Sequence, residues 1–329
     1  MQYVRLGRTP LKVSRLGLGT MTFGLQCDEA TSFQILDAAA DDGITFIDTA
    51  DSYPVGGTLE TVGRTEEIVG RWLKGRRSRF VLATKCGNPM SSRPEDRGSS
   101  RRHILEALDA SLRRLGTDHV ELYQLHYPDP KTPIDETLAA LDEVVRSGRA
   151  RYVGCSNFLA YEVARALGRS EALGAVRFAT LQLRYNLIFR APERELLRLA
   201  AEEGLAVIAY NPLAGGLLSG KHRPGPPPQG TRFTLGTVAE RYQDRYWNER
   251  AFRAVDAMQQ VAREAGLDLV TLSLGWILSN PVITSPLVGA SRADHLEASL
   301  AALEAKLDVA VKTRLDEITA EFRRDDAPF

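Results

Sequence analysis

Ile44-Thr45-Phe46-Ile47-Asp48 is the stretch whose reading decides the fold. It is a run of β-branched and apolar side chains that closes on a carboxylate, set between helical periodicity at 32–40 and at 65–73. Working outward, the same unit recurs. Runs at 15–19, 80–85, 120–126, 151–156, 180–183, 206–210 and 283–288 complete a set of eight, and amphipathic stretches at 101–115, 134–147, 161–167, 193–203 and 295–303 alternate with them. Short strands alternating with crossover helices form a parallel sheet. Eight units in 329 residues fit an α/β protein built as a closed (β/α)8 or TIM barrel, whereas a doubly wound open sheet usually carries fewer strands.

The flanks add detail. Runs at 3–6 and 11–13, separated by Gly7-Arg8-Thr9-Pro10, predict an N-terminal β-hairpin. A long insertion separates the seventh and eighth strands, with a Pro/Gly-rich segment at 223–230 and helical patterns at 249–265 and 269–279. A last helix is expected at 311–323, and residues 1–329 read as a single domain. Lys+Arg 42 balances Asp+Glu 42, so no global field favours nucleic acid or a membrane surface, and a small-molecule partner is expected. Cys27, Cys86 and Cys155 are far apart and lack metal-ligand spacing, which fits a cytoplasmic, reducing setting. Residues 1–16 read as neither a signal peptide nor a membrane span.

Several strands end on polar residues, and in a barrel those ends converge on one rim. Adjacent strands lie about 4.8 Å apart, which puts Asp48, Lys85 and His126, at the ends of strands two to four, within roughly 10 Å of one another. Tyr53 leaves strand two on the next loop and can fold back over them. For hydride addition to a carbonyl, the developing alkoxide needs a proton donor. A lysine beside a phenol lowers its pKa, and a carboxylate keeps that lysine charged and oriented. Tyr53 is then the acid, Asp48 and Lys85 the supporting pair, and His126 the donor that positions the carbonyl. Taken alone, Asp48 reads as a turn cap, Lys85 as a solvated strand end, Tyr53 as loop packing and His126 as structural. Their convergence is what points to chemistry.

Other chemistries fit parts of the set. Lys85 at a strand end suits a Schiff-base aldolase. A glycosidase needs two opposed carboxylates, for which only Asp48 and Asp51 offer themselves. The five histidines, at 103, 119, 126, 222 and 295, lack zinc-ligand spacing, so no metal is expected. Gly17 to Gly24 fails the dinucleotide fingerprint at Thr22, and the Gly19-Thr20-Met21 turn reads instead as close backbone approach to a ligand. A better cofactor track runs through later strands. Ser156, Asn157 and Gln182 suit a carboxamide, and Tyr210 a flat ring. The turn Asn211-Pro212-Leu213-Ala214-Gly215-Gly216-Leu217 suits a pyrophosphate, and Gly289, Ser291 and Arg292, before the last barrel helix, suit a phosphate.

These blocks resemble the aldo-keto reductase family. Gly43 to Tyr53, Ala83-Thr84-Lys85, Leu122-Tyr123-Gln124-Leu125-His126, Gly154-Cys155-Ser156-Asn157-Phe158 and Tyr210 to Leu217 are similar to its catalytic and cofactor segments, in order, over most of residues 3–305. The resemblance implies an NADPH-dependent reductase of aldehydes or ketones, with Asp48, Tyr53, Lys85 and His126 catalytic and NADH less favoured. It adds Lys221 and Arg232 near the cofactor phosphates and counts Asp48 among the cofactor contacts. The long loop after strand seven is similar to the branch that also holds potassium-channel β subunits, which keeps a non-catalytic redox sensor as an alternative. One departure stands near the adenosine, where the family's Arg or Gln and Glu-Asn are replaced by His295, Ala298 and Ser299. Arg292 is expected to compensate.

Overall fold

The computed structural model describes residues 1–324; the end of the expected domain, 325–329, lies outside them. The chain opens with an antiparallel hairpin, β1 (Tyr3–Arg5) and β2 (Lys12–Ser14). Eight parallel strands follow: β3 (Gly17–Gly19), β4 (Phe46–Asp48), β5 (Val81–Cys86), β6 (Val120–Leu125), β7 (Ala150–Ser156), β8 (Thr180–Arg184), β9 (Ala206–Tyr210) and β10 (Ile283–Val288). They pair in chain order, and β10 closes on β3, giving the expected (β/α)8 barrel. Between and after them run α1 (Glu29–Asp41), α2 (Arg64–Leu73), α3 (Arg101–Leu115), α4 (Ile134–Arg146), α5 (Ala160–Leu173), α6 (Leu196–Glu203), α7 (Ala239–Tyr246), α8 (Glu249–Glu264), α9 (Leu269–Leu278), α10 (Leu296–Ala301) and α11 (Val309–Ile318).

Successive side chains on a strand point to opposite faces, and that alternation builds both the core and the site. Phe46, Ala83, Leu122, Ala206 and Ile208 fill the barrel interior together with Leu6 and Val13, so the hairpin plugs the lower end. Their neighbours Ile47, Leu82, Tyr123 and Val207 pack outward in the layer shared with the helices. Gly7, at φ +59°, lets the hairpin turn approach closely: a Cβ there would stand 2.8 Å from the Gly204 carbonyl oxygen. Two residues further up the inward face, the same strands present Asp48, Lys85, Gln124 and Tyr210.

Element ends differ from the sequence reading for local reasons. Helix α1 begins before residue 32 because Asp28 caps it, accepting from the Thr31 amide at 2.8 Å. Helix α6 begins after residue 193 because a 3-10 turn with Pro192 precedes it, and the stretch expected at 295–303 divides into a 3-10 turn and the short α10. Helix α11 stops short of residue 323 and gives way to a 3-10 turn at Ala320–Arg323. It is anchored by buried Arg190, which donates to Thr319 Oγ1 at 2.7 Å and lies 4.8 Å over the Trp276 ring. Helix α7 lies within the insertion, next to the Pro/Gly-rich segment and beyond any expected helical pattern, and buries Tyr242 and Tyr246. Among the described residues no helix is long and apolar enough to cross a membrane.

Candidate active site

The upper strand ends open into a cleft of about 1590 Å³, walled on one side by the insertion that carries α7. At its base Lys85 is fully buried and its ammonium is saturated. It donates to Asp48 Oδ1 at 2.5 Å, to the Thr49 carbonyl at 2.8 Å and to the Tyr53 hydroxyl at 3.5 Å, and lies 5.0 Å over the Tyr53 ring. The other carboxylate oxygen, Asp48 Oδ2, accepts from Gln182 Nε2 at 2.8 Å and Gln124 Nε2 at 3.2 Å. A buried ion pair is tolerated only when its remaining hydrogen-bonding capacity is met, and the two glutamines meet it here.

The electrostatics depart from the sequence expectation at Tyr53. Burial, followed by the negative charge of Asp48, holds its phenol well above the ordinary tyrosine range, and the hydroxyls of Tyr127, Tyr242 and Tyr210 push the same way. The Lys85 ammonium does not reverse this, because its strongest contact is with Asp48. Tyr53 therefore keeps its proton at neutral pH. It meets His126 edge to face at 5.8 Å, and both line the cleft. Burial, then the charge of Lys85, holds the imidazole well below its ordinary pKa, so the ring is neutral. Asn88 Nδ2 donates to His126 Nδ1 at 3.2 Å and to Ser52 Oγ at 3.0 Å. With Nδ1 accepting, the ring proton sits on Nε2.

Asn88 and Gln124 were not picked out by sequence reasoning. Gln124 carried a signal, since it shares the inward face of β6 with Leu122 and the position of His126. Asn88 carried none, lying in a polar loop.

Asp51 does not line the cleft, so it offers no second carboxylate opposite Asp48. It is fully buried, and among the described residues neither oxygen has a hydrogen-bond partner. Burial, then the charge of Glu66, raises its carboxyl well above the ordinary range, with Arg114 and the neighbouring Ser52 groups opposing. A carboxyl whose folded pKa is raised favours the folded state at low pH and loses that contribution as pH climbs through the folded value. Asp51→Asn is accordingly expected to flatten the fall of stability above the ordinary carboxylate range, by about 1.4 kcal/mol for each pH unit of suppressed ionisation. Denaturant unfolding across pH checks this. Parallel wild-type and variant curves would contradict it.

On the opposite wall, Asn157 Nδ2 donates to the His126 carbonyl at 2.9 Å and to Ser156 Oγ at 3.0 Å, while its Oδ1 accepts from the Tyr210 hydroxyl at 2.7 Å. Gln182, with its amide nitrogen directed to Asp48, has only its Oε1 left for a ligand. Asn211 builds the following turn, accepting from the Gly215 amide at 2.7 Å and donating to the Tyr246 hydroxyl at 2.9 Å. Gly215 sits at φ +70°, where a Cβ would stand 2.7 Å from the Tyr242 ring. Gly19, Thr20, Met21, Pro212, Leu213, Lys221, Gly289, Ser291 and His295 line the cleft. So does Arg232, whose buried Nη1 has no hydrogen-bond partner among the described residues, a cationic donor suited to a phosphate. Two expected residues are not brought in. Leu217 is packed in the core, and Arg292 does not line the cleft but pairs at the surface with Asp294 at 2.6 Å. Lys85, buried and triply bonded, is not presented to the cleft as a Schiff-base lysine would be.

Residues 15–320 match the model of the Aldo/keto reductase family. The chain is 39% identical to the uncharacterized oxidoreductase YrpG of Bacillus subtilis, covering 97% of this chain and 96% of that protein. It is 37% identical to a probable voltage-gated potassium channel subunit beta of Arabidopsis thaliana, over 92% of each. It is 33% identical to L-glyceraldehyde 3-phosphate reductase of Escherichia coli O157:H7, covering 92% of this chain and 88% of that protein.

Proposed function

Because this chain belongs to the aldo/keto reductase family, we propose that it reduces an aldehyde or ketone to the alcohol with NADPH, and that Tyr53 is the proton donor. The observation that carries this reading is the Asp48–Lys85 ion pair, whose third ammonium contact is the hydroxyl of a tyrosine that lines the cleft beside a neutral histidine.

The dinucleotide would be held by the acceptor left free on Gln182 together with Ser156 and Asn157 at its carboxamide, by Tyr210 at its ring, and by the Asn211–Gly215 turn with Lys221 and Arg232 at its phosphates. Gly19, Thr20 and Met21 give backbone approach, and Ser291 and His295 lie on the adenosine side. Bound there, NADPH supplies a hydride. The protein supplies the rest. His126 Nε2–H donates to the substrate carbonyl oxygen and orients it towards the Tyr53 hydroxyl. As charge develops on that oxygen, Tyr53 gives up its proton, an alkoxide being a much stronger base than a phenolate. The phenolate left behind is stabilised by the adjacent ammonium, which Asp48 holds in place. Asp48, Lys85, Gln124 and Asn88 act by charge and position.

Purified protein, NADPH and an activated aldehyde such as 4-nitrobenzaldehyde test the reading, with cofactor binding followed separately by fluorescence titration. Cofactor binding without turnover over a broad carbonyl panel would defeat it and favour the redox-sensor alternative. His126, in hydrogen-bonded position, supports an enzyme. The free, buried cysteines support a reducing compartment.

Asn88→Ala removes the donor that fixes the His126 tautomer. A loss of about tenfold in kcat/KM is expected, the worth of one hydrogen bond, with NADPH affinity unchanged. Asn88→Asp, whose carboxylate draws a proton to Nδ1 and raises the imidazole pKa, should shift the acidic limb of the pH profile upward. An Asp variant with the wild-type profile would count against the Asn88–His126 coupling.

A further inference from the structure

Resting on that reading of the site, we propose that the carbonyl substrate carries an anionic group, a carboxylate or a phosphate, and that Arg245 on α7 receives it.

Arg241 and Arg245 are four residues apart on one helix and share a face. Both line the cleft, Arg241 exposed and Arg245 half-buried. Neither forms an ion pair or hydrogen bond among the described residues. Several other half-buried or buried arginines are paired, Arg77 with Glu121, Arg114 with Glu66 and Arg190 with Glu193, and Arg15 is met by backbone carbonyls of Leu278, Ile283 and Thr284; Arg184 and Arg232 share with Arg245 the lack of a carboxylate partner among the described residues. A guanidinium withdrawn from water without a counter-charge is unfavourable, and the deficit is removed when an anion arrives.

The position of Arg245 ties it to the reacting end of the cleft. Tyr242, one turn earlier on the same helix, lines the same cleft as Tyr53. Arg245 itself acts on the Tyr210 hydroxyl, which bonds to Asn157 above His126. A second guanidinium without a carboxylate partner among the described residues, buried Arg184, acts on the same hydroxyl and is stacked 3.4 Å over Phe189. Two uncompensated positive charges flanking one wall of a cleft focus a field that attracts an anion. Glu240 and Asp244 also line the cleft but are exposed and do not pair with Arg245. The cations assigned to the cofactor, Lys221 and Arg232, precede α7 in the chain, and Arg232 packs on that helix, 5.6 Å over the Tyr242 ring, so NADPH affinity has to be followed beside substrate preference.

The test compares substrates that differ in charge and little else. At saturating NADPH, kcat/KM is measured for 4-carboxybenzaldehyde against its methyl ester and for glyceraldehyde 3-phosphate against glyceraldehyde, in wild type, Arg245→Met and Arg245→Lys. NADPH affinity is measured by fluorescence titration in each. The wild-type protein should favour the anionic member of at least one pair by about tenfold or more, the range of a charge-assisted hydrogen bond. That ratio should fall towards one in Arg245→Met and recover in part in Arg245→Lys, with NADPH affinity constant. Preference in the first pair alone identifies a carboxylate, and in the second alone a phosphate. Equal wild-type rates within both pairs, a ratio unchanged by Arg245→Met, or weakened NADPH binding in that variant would overturn the proposal. No turnover of any of the four aldehydes would instead overturn carbonyl reduction, and this proposal with it.

Discussion

Tyr53→Phe is expected to lower kcat by about a hundred- to ten-thousand-fold while leaving NADPH affinity within about twofold of wild type. The range is that of a positioned general acid. The substitution removes one hydroxyl and keeps the ring, so its edge-to-face packing on His126 at 5.8 Å and its contact with the Lys85 ammonium are preserved. Loss of rate without loss of cofactor binding would isolate the proton. The pH dependence sharpens the test. Tyr53 is held well above its ordinary range and His126 well below its own, so neither changes charge near neutrality. Reduction by the wild-type protein should therefore be flat with pH through the neutral region. It should fall at low pH only where the imidazole takes up a proton and can no longer accept from Asn88. A steep wild-type dependence on pH between 6 and 8, with Tyr53→Phe retaining most of its turnover, would remove Tyr53 from the role.

Much of this arrangement was legible before the structure. The barrel followed from eight short runs ending on polar residues, because strand alternation ties the inward face of the core to the inward face of the rim. Phe46 and Asp48 lie on one face, as do Ala83 and Lys85. What escaped depended on burial and on loops. The direction of the Tyr53 shift is set by desolvation and by how an ammonium divides itself between two neighbours, and neither is written in residue spacing. Asn88 sits in a polar loop whose path only the fold determines. Helix α7 escaped because it is a short, polar run reached through a Pro/Gly-rich segment and two 3-10 turns, and its burial of Tyr242 and Tyr246 comes from packing in the fold rather than from a long periodic pattern. Arg292 was expected at a phosphate because it precedes a helix, but that helix is a single short one and Asp294, two residues on, takes the guanidinium.

Lys85→Met should be the most damaging single change to stability in the site, and it separates electrostatic support from catalysis. Removing the ammonium leaves Asp48 buried, with only two neutral amide donors on Oδ2 and none on Oδ1. It also leaves the Thr49 carbonyl without its partner. Breaking one side of a buried ion pair generally costs about 3–5 kcal/mol, because an uncompensated charge remains in a poorly polarisable site. The double variant Asp48→Asn/Lys85→Met removes both charges and fills the space with a side chain of similar length, so it should recover much of that loss in a denaturant midpoint. Turnover should not recover with it. Without the ammonium, the phenolate formed when Tyr53 gives up its proton has no contacting cation among the described residues, and the barrier rises in the double variant as in the single one. Stability restored without activity would assign the ion pair to stabilising the phenolate. Activity restored together with stability would mean that Lys85 serves only to hold the fold, and Tyr53 would then need another source of support.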